Sequence, residues 1–214
     1  TGMTIAVIDY GMGNLRSVAR ALEHVGAREV AVTDDPAVIA AAERVVFPGQ
    51  GAVRDCMSAL HQHELVEVLH QVAADRPFLG ICMGMQALMT RSEENEGVEA
   101  LDIFPGTVRH FGDRASAPAR LKVPHMGWNR LHQRTTHPLW AGIEHDERFY
   151  FVHSYYVEPA SPDIVQGESD YGGRFAAAIG ASNLFATQFH PEKSQQPGLR
   201  LLTNFLSWDG EPCS

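Results

Sequence analysis

The stretch Phe78–Gln86, which reads FLGICMGMQ, decides the fold. Its first four residues are apolar or glycine, as expected for a buried strand of a parallel sheet. A helical pattern follows directly after Cys82, and we expect a helix over Met83–Arg91. A cysteine between a strand and a helix, flanked by Gly80 and Gly84, has the layout of a nucleophile elbow. Such a turn exposes its central side chain at the carboxyl end of the sheet.

Strand and helix patterns alternate along the chain before this stretch, which predicts a mostly parallel sheet with helices on both faces. The predicted strands are Thr4–Tyr10, Glu29–Thr33 and Arg44–Phe47, and the predicted helices are Leu15–Val25, Pro36–Ala42, Ala52–His61 and Glu64–Ala74. Shorter strands dominate after about residue 101, at Thr107–Phe111, Arg148–Val157, Ile164–Glu168, Arg174–Ile179 and Leu184–Gln188, before a closing helix over Pro197–Trp208. We predict an α/β fold with an added antiparallel strand layer, and a single domain over residues 1–214.

Composition excludes several classes of protein. The net charge is −9 and the basic residues are dispersed, which argues against a nucleic-acid partner. No apolar stretch is long enough for a membrane span and no secretory signal is visible, so we expect no membrane association and a cytoplasmic location. Three cysteines without paired spacing argue against a disulfide framework. His61 and His63 lack further ligands, and we expect neither a metal nor a cofactor.

Cys82 is the candidate nucleophile. A thiol at the N-terminal end of a helix lies at the positive end of the helix dipole, which favours the thiolate. The backbone N–H of Met83 is then available to an oxyanion. The alternative is a buried structural cysteine, and this is the interpretation we keep for Cys56 and Cys213. At Cys82 the flanking glycines and the strand-to-helix position favour the nucleophile.

The stretch Gln188–Glu192, which reads QFHPE, supplies a candidate base. His190 precedes a proline and is therefore biased toward extended geometry. Residues two apart in an extended segment point to the same side, so His190 and Glu192 share a face. A carboxylate beside an imidazole fixes its tautomer and stabilises the imidazolium. These three residues predict a Cys82–His190–Glu192 triad, although His-Pro-Glu alone also fits a surface turn.

These motifs resemble those of the class I, or triad, glutamine amidotransferases. Five further stretches resemble more narrowly the glutaminase subunits of imidazole glycerol phosphate synthases. They are Asp9–Leu15, Pro48–Ala52, Val123–Asn129, Tyr150–Tyr156 and Phe189–Ser194. The resemblance extends from residue 5 to about residue 206. This chain has Ala100 where the family usually has glycine, and the segment after Phe205 is not matched. Taken singly, each loop motif also fits an ordinary turn or, from His125 to Trp128, a packed loop.

The resemblance implies a flavodoxin-like fold and hydrolysis of L-glutamine to glutamate and ammonia through a thioester on Cys82. It implies an oxyanion hole formed by Met83 and the loop Gly49, Gln50 and Gly51, in which the Gln50 peptide turns inward as a donor. It also implies that Gln86, Ser154 and Tyr155 bind the α-groups of glutamine.

The resemblance further implies a heterodimer with a cyclase subunit of the (β/α)₈-barrel type. Ammonia would react there to give imidazole glycerol phosphate and an aminoimidazole carboxamide ribotide, in histidine biosynthesis. The implied interface residues are Asn14, His125, Met126, Trp128 and Lys193. Three alternatives stay open: a triad amidotransferase that serves another synthase, a non-catalytic scaffold of the same fold, and a cysteine peptidase with a similar elbow.

Overall fold

A central sheet forms because its strands are apolar on both faces; the side chains of Ile5–Ile8, for example, are fully buried. The computed structural model describes residues 3–114 and 121–212, so Cys213 lies outside the described residues. The strands are β1 Thr4–Ile8, β2 Glu29–Thr33, β3 Arg44–Phe47, β4 Phe78–Ile81, β5 Arg91–Ser92, β6 Val98–Glu99, β7 Gly106–His110, β8 His125–Arg130, β9 His132–Gln133, β10 Arg148–His153, β11 Tyr155–Pro159, β12 Val165–Asp170, β13 Arg174–Ala181 and β14 Leu184–Thr187.

Helices cover both faces of this sheet. They are α1 Leu15–His24, α2 Pro36–Ala41, α3 Val53–Gln62, α4 Val66–Ala73, α5 Met83–Gln86 and α6 Gln195–Ser207. Alternate residues of β1 enter opposite cores: Ala6 and Ile8 pack with residues of α2, α3 and α4, and Ile5 and Val7 pack with residues of α1 and α6. No helix in the described parts of the chain is both long and apolar enough to cross a bilayer.

The sheet combines a parallel half and an antiparallel half. Strands β2, β1, β3, β4 and β14 are neighbours in that order and run parallel. Strand β13 pairs antiparallel with β14, and the sheet continues through β11, β7, β5 and β6. The predicted α/β class is therefore confirmed. Most of the antiparallel strands extend the central sheet, whereas β8 and β10 form a separate antiparallel pair.

The helix after Cys82 is shorter than predicted, because α5 ends at Gln86 instead of near Arg91. The carbonyl groups of Ala87, Leu88 and Met89 accept hydrogen bonds of 2.9 Å from backbone N–H groups of residues 101–104. Bonds to this returning segment take the carbonyls that a longer helix would use. The apolar residues that resemble a helical pattern are instead buried in the core.

The predicted strand Arg148–Val157 is two strands, with the break at Ser154. Strand β10 pairs with β8, while β11 pairs with β7 in the central sheet. The carbonyl of Ser154 accepts a hydrogen bond from the N–H of Phe111 at 3.1 Å, so the chain changes its pairing partner at this residue. The stretch from His125 to Trp128, which the sequence also allows as a packed loop, is strand β8.

Three parallel strands end at the same edge of the sheet and carry the predicted site. The loop Pro48–Gly51 follows β3, Cys82 follows β4, and the segment Gln188–His190 follows the neighbouring strand β14. Gly84 packs directly against the end of β3. A Cβ on this glycine would overlap the carbonyl oxygen of Phe47 and lie 2.9 Å from its carbonyl carbon. Only glycine therefore fits between the elbow and β3.

We expect Gly84→Ala to lower the free energy of unfolding by about 1–3 kcal/mol, because the added methyl group overlaps backbone atoms that cannot rotate away. Urea unfolding followed by circular dichroism measures the change. Gly26→Ala separates overlap from backbone strain, since a Cβ there meets no atom within 4 Å and its cost comes only from the φ of +112°. Wild-type stability of Gly84→Ala would contradict the packing argument.

Candidate functional site: a cysteine elbow beside a buried histidine

Cys82 forms a sharp turn between β4 and α5. Its backbone has φ +55° and ψ −111°, a conformation that costs a non-glycine residue about 1–3 kcal/mol. Hydrogen bonds on both sides hold it: the N–H of Cys82 donates to the carbonyl of Thr187 at 2.7 Å, and its carbonyl accepts from the N–H of Met85 at 3.0 Å. This is the strained turn that the flanking glycines predict.

His190 and Glu192 form a buried pair behind the elbow. His190 Nδ1 lies 2.6 Å from Glu192 Oε1, and each side chain is only 2% exposed. Because the carboxylate accepts, Nδ1 donates and the proton-exchanging position is Nε2. Nε2 has no hydrogen-bond partner of good geometry among the described residues. The thiol of Cys82 is instead directed at the carbonyl of Val152, with Sγ 3.7 Å from the oxygen.

The charge of His190 depends on its burial and on two neighbouring side chains. Burial lowers its pKa, but the nearby charge of Cys82 and the hydrogen bond to Glu192 together outweigh burial and raise the pKa to about 10. Since this value lies above neutral pH, the imidazole is protonated at pH 7 and loses its proton only in alkaline solution. The imidazolium therefore provides a counter-ion for a sulfur anion.

A cleft of about 500 Å³ opens over the elbow. Its walls include many of the residues that the sequence nominates, namely Gln50, Gly51, Cys82, Met83, Gln86, Ser154, Tyr155 and Lys193, together with Tyr150 and His153, which the sequence did not. A cavity of about 450 Å³ between β2 and α2 is lined almost wholly by apolar side chains and contains no nucleophile. The chemistry therefore assigns the site to the cleft.

The loop after β3 presents a carbonyl to the elbow. The N–H of Met83 donates to the carbonyl of Gly49 at 3.4 Å. Tyr10 fixes the start of the loop, because its hydroxyl donates to the carbonyl of Pro48 at 2.7 Å. Gly51 is exposed and has φ +96°, which is left-handed backbone that glycine adopts without strain. In this arrangement the Met83 donor is occupied and the Gly49–Gln50 peptide does not offer its N–H.

Gln188 is a site residue to which the sequence motifs assign no role. It is fully buried, and its Nε2 lies 3.7 Å from Cys82 Sγ. Its Oε1 accepts a hydrogen bond from Gln86 Nε2 at 3.1 Å. His190 is extended as predicted, but Pro191–Lys193 form a single 3-10 turn, so this turn and not strand alternation brings Glu192 to His190. Gln188 had no comparable signal in the sequence.

The predicted interface residues differ in exposure. Met126 and Trp128 are 60% and 46% exposed on β8, Asn14 is exposed, and Lys193 lies at the rim of the cleft. Asn14 also caps α1 through a 3.3 Å bond from the N–H of Ser17. His125 is instead buried, at 4% exposed. It therefore cannot contact a partner directly in this conformation.

His125 belongs to a row of buried hydrogen bonds. Its Nδ1 lies 2.9 Å from His153 Nε2, and Asn129 Nδ2 lies 3.2 Å from its Nε2. Burial lowers the pKa of His125 to about 4. Burial also lowers the pKa of His153, to about 3. Both rings are neutral at pH 7 and serve as hydrogen-bonding groups.

Two other groups lie away from the cleft. Cys56 is a buried residue of α3, and burial raises its pKa to about 12, which fits the structural interpretation. Among the described residues, His132, His145 and Asp146 bring three potential metal ligands together. They lie beyond Arg130 and Arg148, at the far end of the β8–β10 pair from His125 and His153.

We expect Cys82→Ala to lower the pKa of His190 from about 10, because the substitution removes the charge of the sulfur while the burial of the imidazole remains. NMR titration of the imidazole resonances measures the shift. Cys56→Ala is the control, since Cys56 does not contribute to the pKa of His190. A titration in Cys82→Ala that coincides with that of the wild type would refute the pairing of sulfur and imidazole.

Comparisons with known proteins agree with this geometry. The family model for glutamine amidotransferase class-I matches residues 6–208. The imidazole glycerol phosphate synthase subunit HisH 1 of Pseudomonas aeruginosa is 59% identical over 208 residues, covering 97% of this chain and 98% of the relative. The HisH subunit of Pseudomonas putida is 57% identical with the same coverage. The crystal structure of a glutamine amidotransferase aligns with a TM-score of 0.72 at 15% identity, covering 95% of this chain and 97% of that one. The chain belongs to the class I glutamine amidotransferases.

Proposed function

We propose that this chain is the glutaminase subunit of an imidazole glycerol phosphate synthase. One observation carries the proposal. The strained Cys82 lies at the carboxyl end of β4, and a buried His190–Glu192 pair lies behind it, with Nδ1 of His190 2.6 Å from Oε1 of Glu192. The names of relatives that are 57–59% identical over almost the whole chain support the choice of synthase. They also favour this synthase over the other triad amidotransferases.

In the proposed reaction the sulfur of Cys82 attacks the side-chain amide carbon of L-glutamine. His190, protonated on Nε2, gives its proton to the departing ammonia as the thioester forms. His190 then takes a proton from water, which cleaves the thioester to glutamate and regenerates the sulfur. Glu192 holds the imidazole by Nδ1 in both steps and stabilises its charged form.

The oxyanion of the tetrahedral intermediate needs donors that the resting loop does not supply. The N–H of Met83 donates to the carbonyl of Gly49 and is therefore not free to donate to an oxyanion. Rotation of the Gly49–Gln50 peptide removes this acceptor and turns the N–H of Gln50 toward the cleft. Gly49, which precedes this peptide, permits the rotation because it has no Cβ. We therefore take this arrangement of the loop as the resting state of the proposed enzyme.

Glutamine binding is assigned to the wall of the cleft beside Gln86. Nε2 of Gln86 donates to the carbonyl of Tyr155 and to Oε1 of Gln188, each at 3.1 Å. Oε1 of Gln86 is therefore the group available to the α-ammonium of a substrate. Ser154 and Tyr155 line the same wall and complete the proposed contacts to the α-groups.

Partner docking is assigned to the exposed face of β8 and its surroundings. Met126 and Trp128 are large apolar side chains that a monomer leaves open, and an exposed tryptophan is a common interface anchor. Asn14 and Lys193 complete the proposed surface. We assign this surface to a cyclase subunit of the (β/α)₈-barrel type, as a cytoplasmic heterodimer in which ammonia passes from the cleft to the partner.

We expect the isolated chain to hydrolyse glutamine about 100-fold or more slowly than the complex with its cyclase and the cyclase ligand, because loss of one oxyanion donor costs about 10²–10³ in kcat. Glutamate release, measured by a coupled assay with and without the partner, tests this expectation. Full turnover by the chain alone would show that the resting loop does not limit the reaction.

Cys82→Ala should abolish glutamine-dependent synthesis by the complex and leave ammonia-dependent synthesis unchanged. The reason is that ammonia supplied from solution bypasses thioester formation. Cys56→Ala, which removes a buried thiol outside the cleft, is the matched control and should retain both activities. Loss of both activities in Cys82→Ala would show that the residue supports the structure of the complex, and retention of both would exclude it as the nucleophile.

A further inference from the structure

We propose that Gln188 stabilises the sulfur anion of Cys82, and that the backbone carbonyl of Tyr155 sets the orientation that makes this possible. The inference rests on the proposed function only in taking Cys82 as the nucleophile. Gln188 is fully buried and follows β14 directly, where its N–H donates to the carbonyl of Ala177 at 2.8 Å. Its side chain lies between Gln86 and Cys82.

The orientation of both amide side chains follows from one acceptor. A backbone carbonyl can only accept hydrogen bonds, so the atom of Gln86 that lies 3.1 Å from the Tyr155 oxygen is the NH₂ group. The same NH₂ lies 3.1 Å from the Gln188 amide, which must therefore present its oxygen. The NH₂ of Gln188 is then directed at Cys82 Sγ, 3.7 Å away. A flipped Gln188 would place two NH₂ groups against each other.

The Tyr155 carbonyl is itself held from a second side. His153 Nδ1 donates to it at 2.7 Å, so both lone pairs of the oxygen are engaged. With Nδ1 protonated in a neutral ring, His153 Nε2 accepts from His125 Nδ1, and His125 Nε2 accepts from Asn129. Asn129 also donates to the carbonyl of Asp170 at 2.9 Å. Every member of this row has one consistent role, which keeps the Tyr155 carbonyl fixed.

A side-chain donor at the sulfur matters most when the sulfur carries charge. Hydrogen bonds to ionised groups are about twice as strong as those between neutral groups. The sulfur is anionic before it attacks the amide carbon and again when water displaces it from the thioester. The Gln188 donor therefore raises the population of the reactive anion and assists its departure, while His190 exchanges the protons.

The test measures the reactivity of Cys82 itself. We expect Gln188→Met, which keeps the length and removes the donor, to slow iodoacetamide alkylation of Cys82 about tenfold at pH 7 and to move the pH–rate profile to higher pH. Gln188→Glu should slow it further, because a carboxylate repels the sulfur anion. Peptide mass spectrometry of the full chain follows Cys82 separately from the other cysteines.

Gln166→Met is the matched control, because Gln166 is also a buried glutamine but bonds to the carbonyl of Gly180 at 2.9 Å, outside the cleft. It should lose stability without a change in the alkylation of Cys82. An unchanged alkylation rate in Gln188→Met, or an equal loss in Gln166→Met, would overturn the proposal. Because alkylation needs neither glutamine nor a partner, a failure of the proposed function would leave this readout intact.

A measurement on the wild type covers the case in which the Gln188 variants do not fold. The side-chain NH₂ resonances of Gln188 should shift with pH together with the alkylation profile of Cys82, and this shift should vanish in Cys82→Ala. Gln188 resonances that do not change when the sulfur of Cys82 gains or loses its proton would also overturn the proposal.

Discussion

The left-handed backbone at Cys82 is the constraint on which the site depends. At Cys82 the chain turns from β4 into α5 within one residue, and this residue leaves the usual regions of φ and ψ. The cost of about 1–3 kcal/mol is tolerated because the surroundings define the turn completely. The N–H of Cys82 bonds to β14 through Thr187, and Gly84 lies flush against the end of β3. The turn thus joins three neighbouring strands, and the same contacts bring the segment with His190 next to the sulfur.

Parallel topology explains how residues distant in the chain meet at this turn. The carboxyl ends of β3, β4 and β14 lie side by side, so each following segment supplies one part of the site. Strand β3 leads to the Gly49–Gly51 loop, β4 to Cys82, and β14 to Gln188 and His190. The antiparallel half then closes the cleft, because the break at Ser154 directs β10 toward the pair with β8 and β11 into the central sheet.

The sequence predicted those parts of the structure that depend on local patterns. The buried strands and the elbow at Cys82 follow from apolar runs and glycine spacing. The contact between His190 and Glu192 was expected, but a 3-10 turn over Pro191–Lys193 produces it and not the predicted extended segment. The length of α5 did not follow, because it depends on hydrogen bonds from residues 101–104 to Ala87–Met89. The break at Ser154 likewise depends on Phe111, which is distant in the chain.

The orientation of side chains and peptides could not be predicted from the sequence either, because it also depends on contacts between residues that are distant in the chain. The carbonyl of Tyr155 orients the amide of Gln86, which in turn orients the amide of Gln188. No local sequence pattern contains these contacts. The buried state of His125 depends on His153 across the β8–β10 pair. Residue types in a motif therefore identified the participants, whereas their hydrogen-bond polarity required the fold.

Under the proposed function, the charge state of the site and its readiness for turnover are separate properties. His190, with a pKa raised to about 10, is already charged beside the sulfur in the resting structure. The missing element is an oxyanion donor, which depends on one peptide after Gly49. That peptide lies against the segment that carries the exposed Asn14: a Cβ on Gly13 would lie 3.4 Å from Gly49 Cα, and a Cβ on Gly51 would lie 3.2 Å from Met12. A partner bound at Asn14 therefore contacts a segment that packs on the oxyanion loop, without any need to disturb the sulfur–imidazole pair.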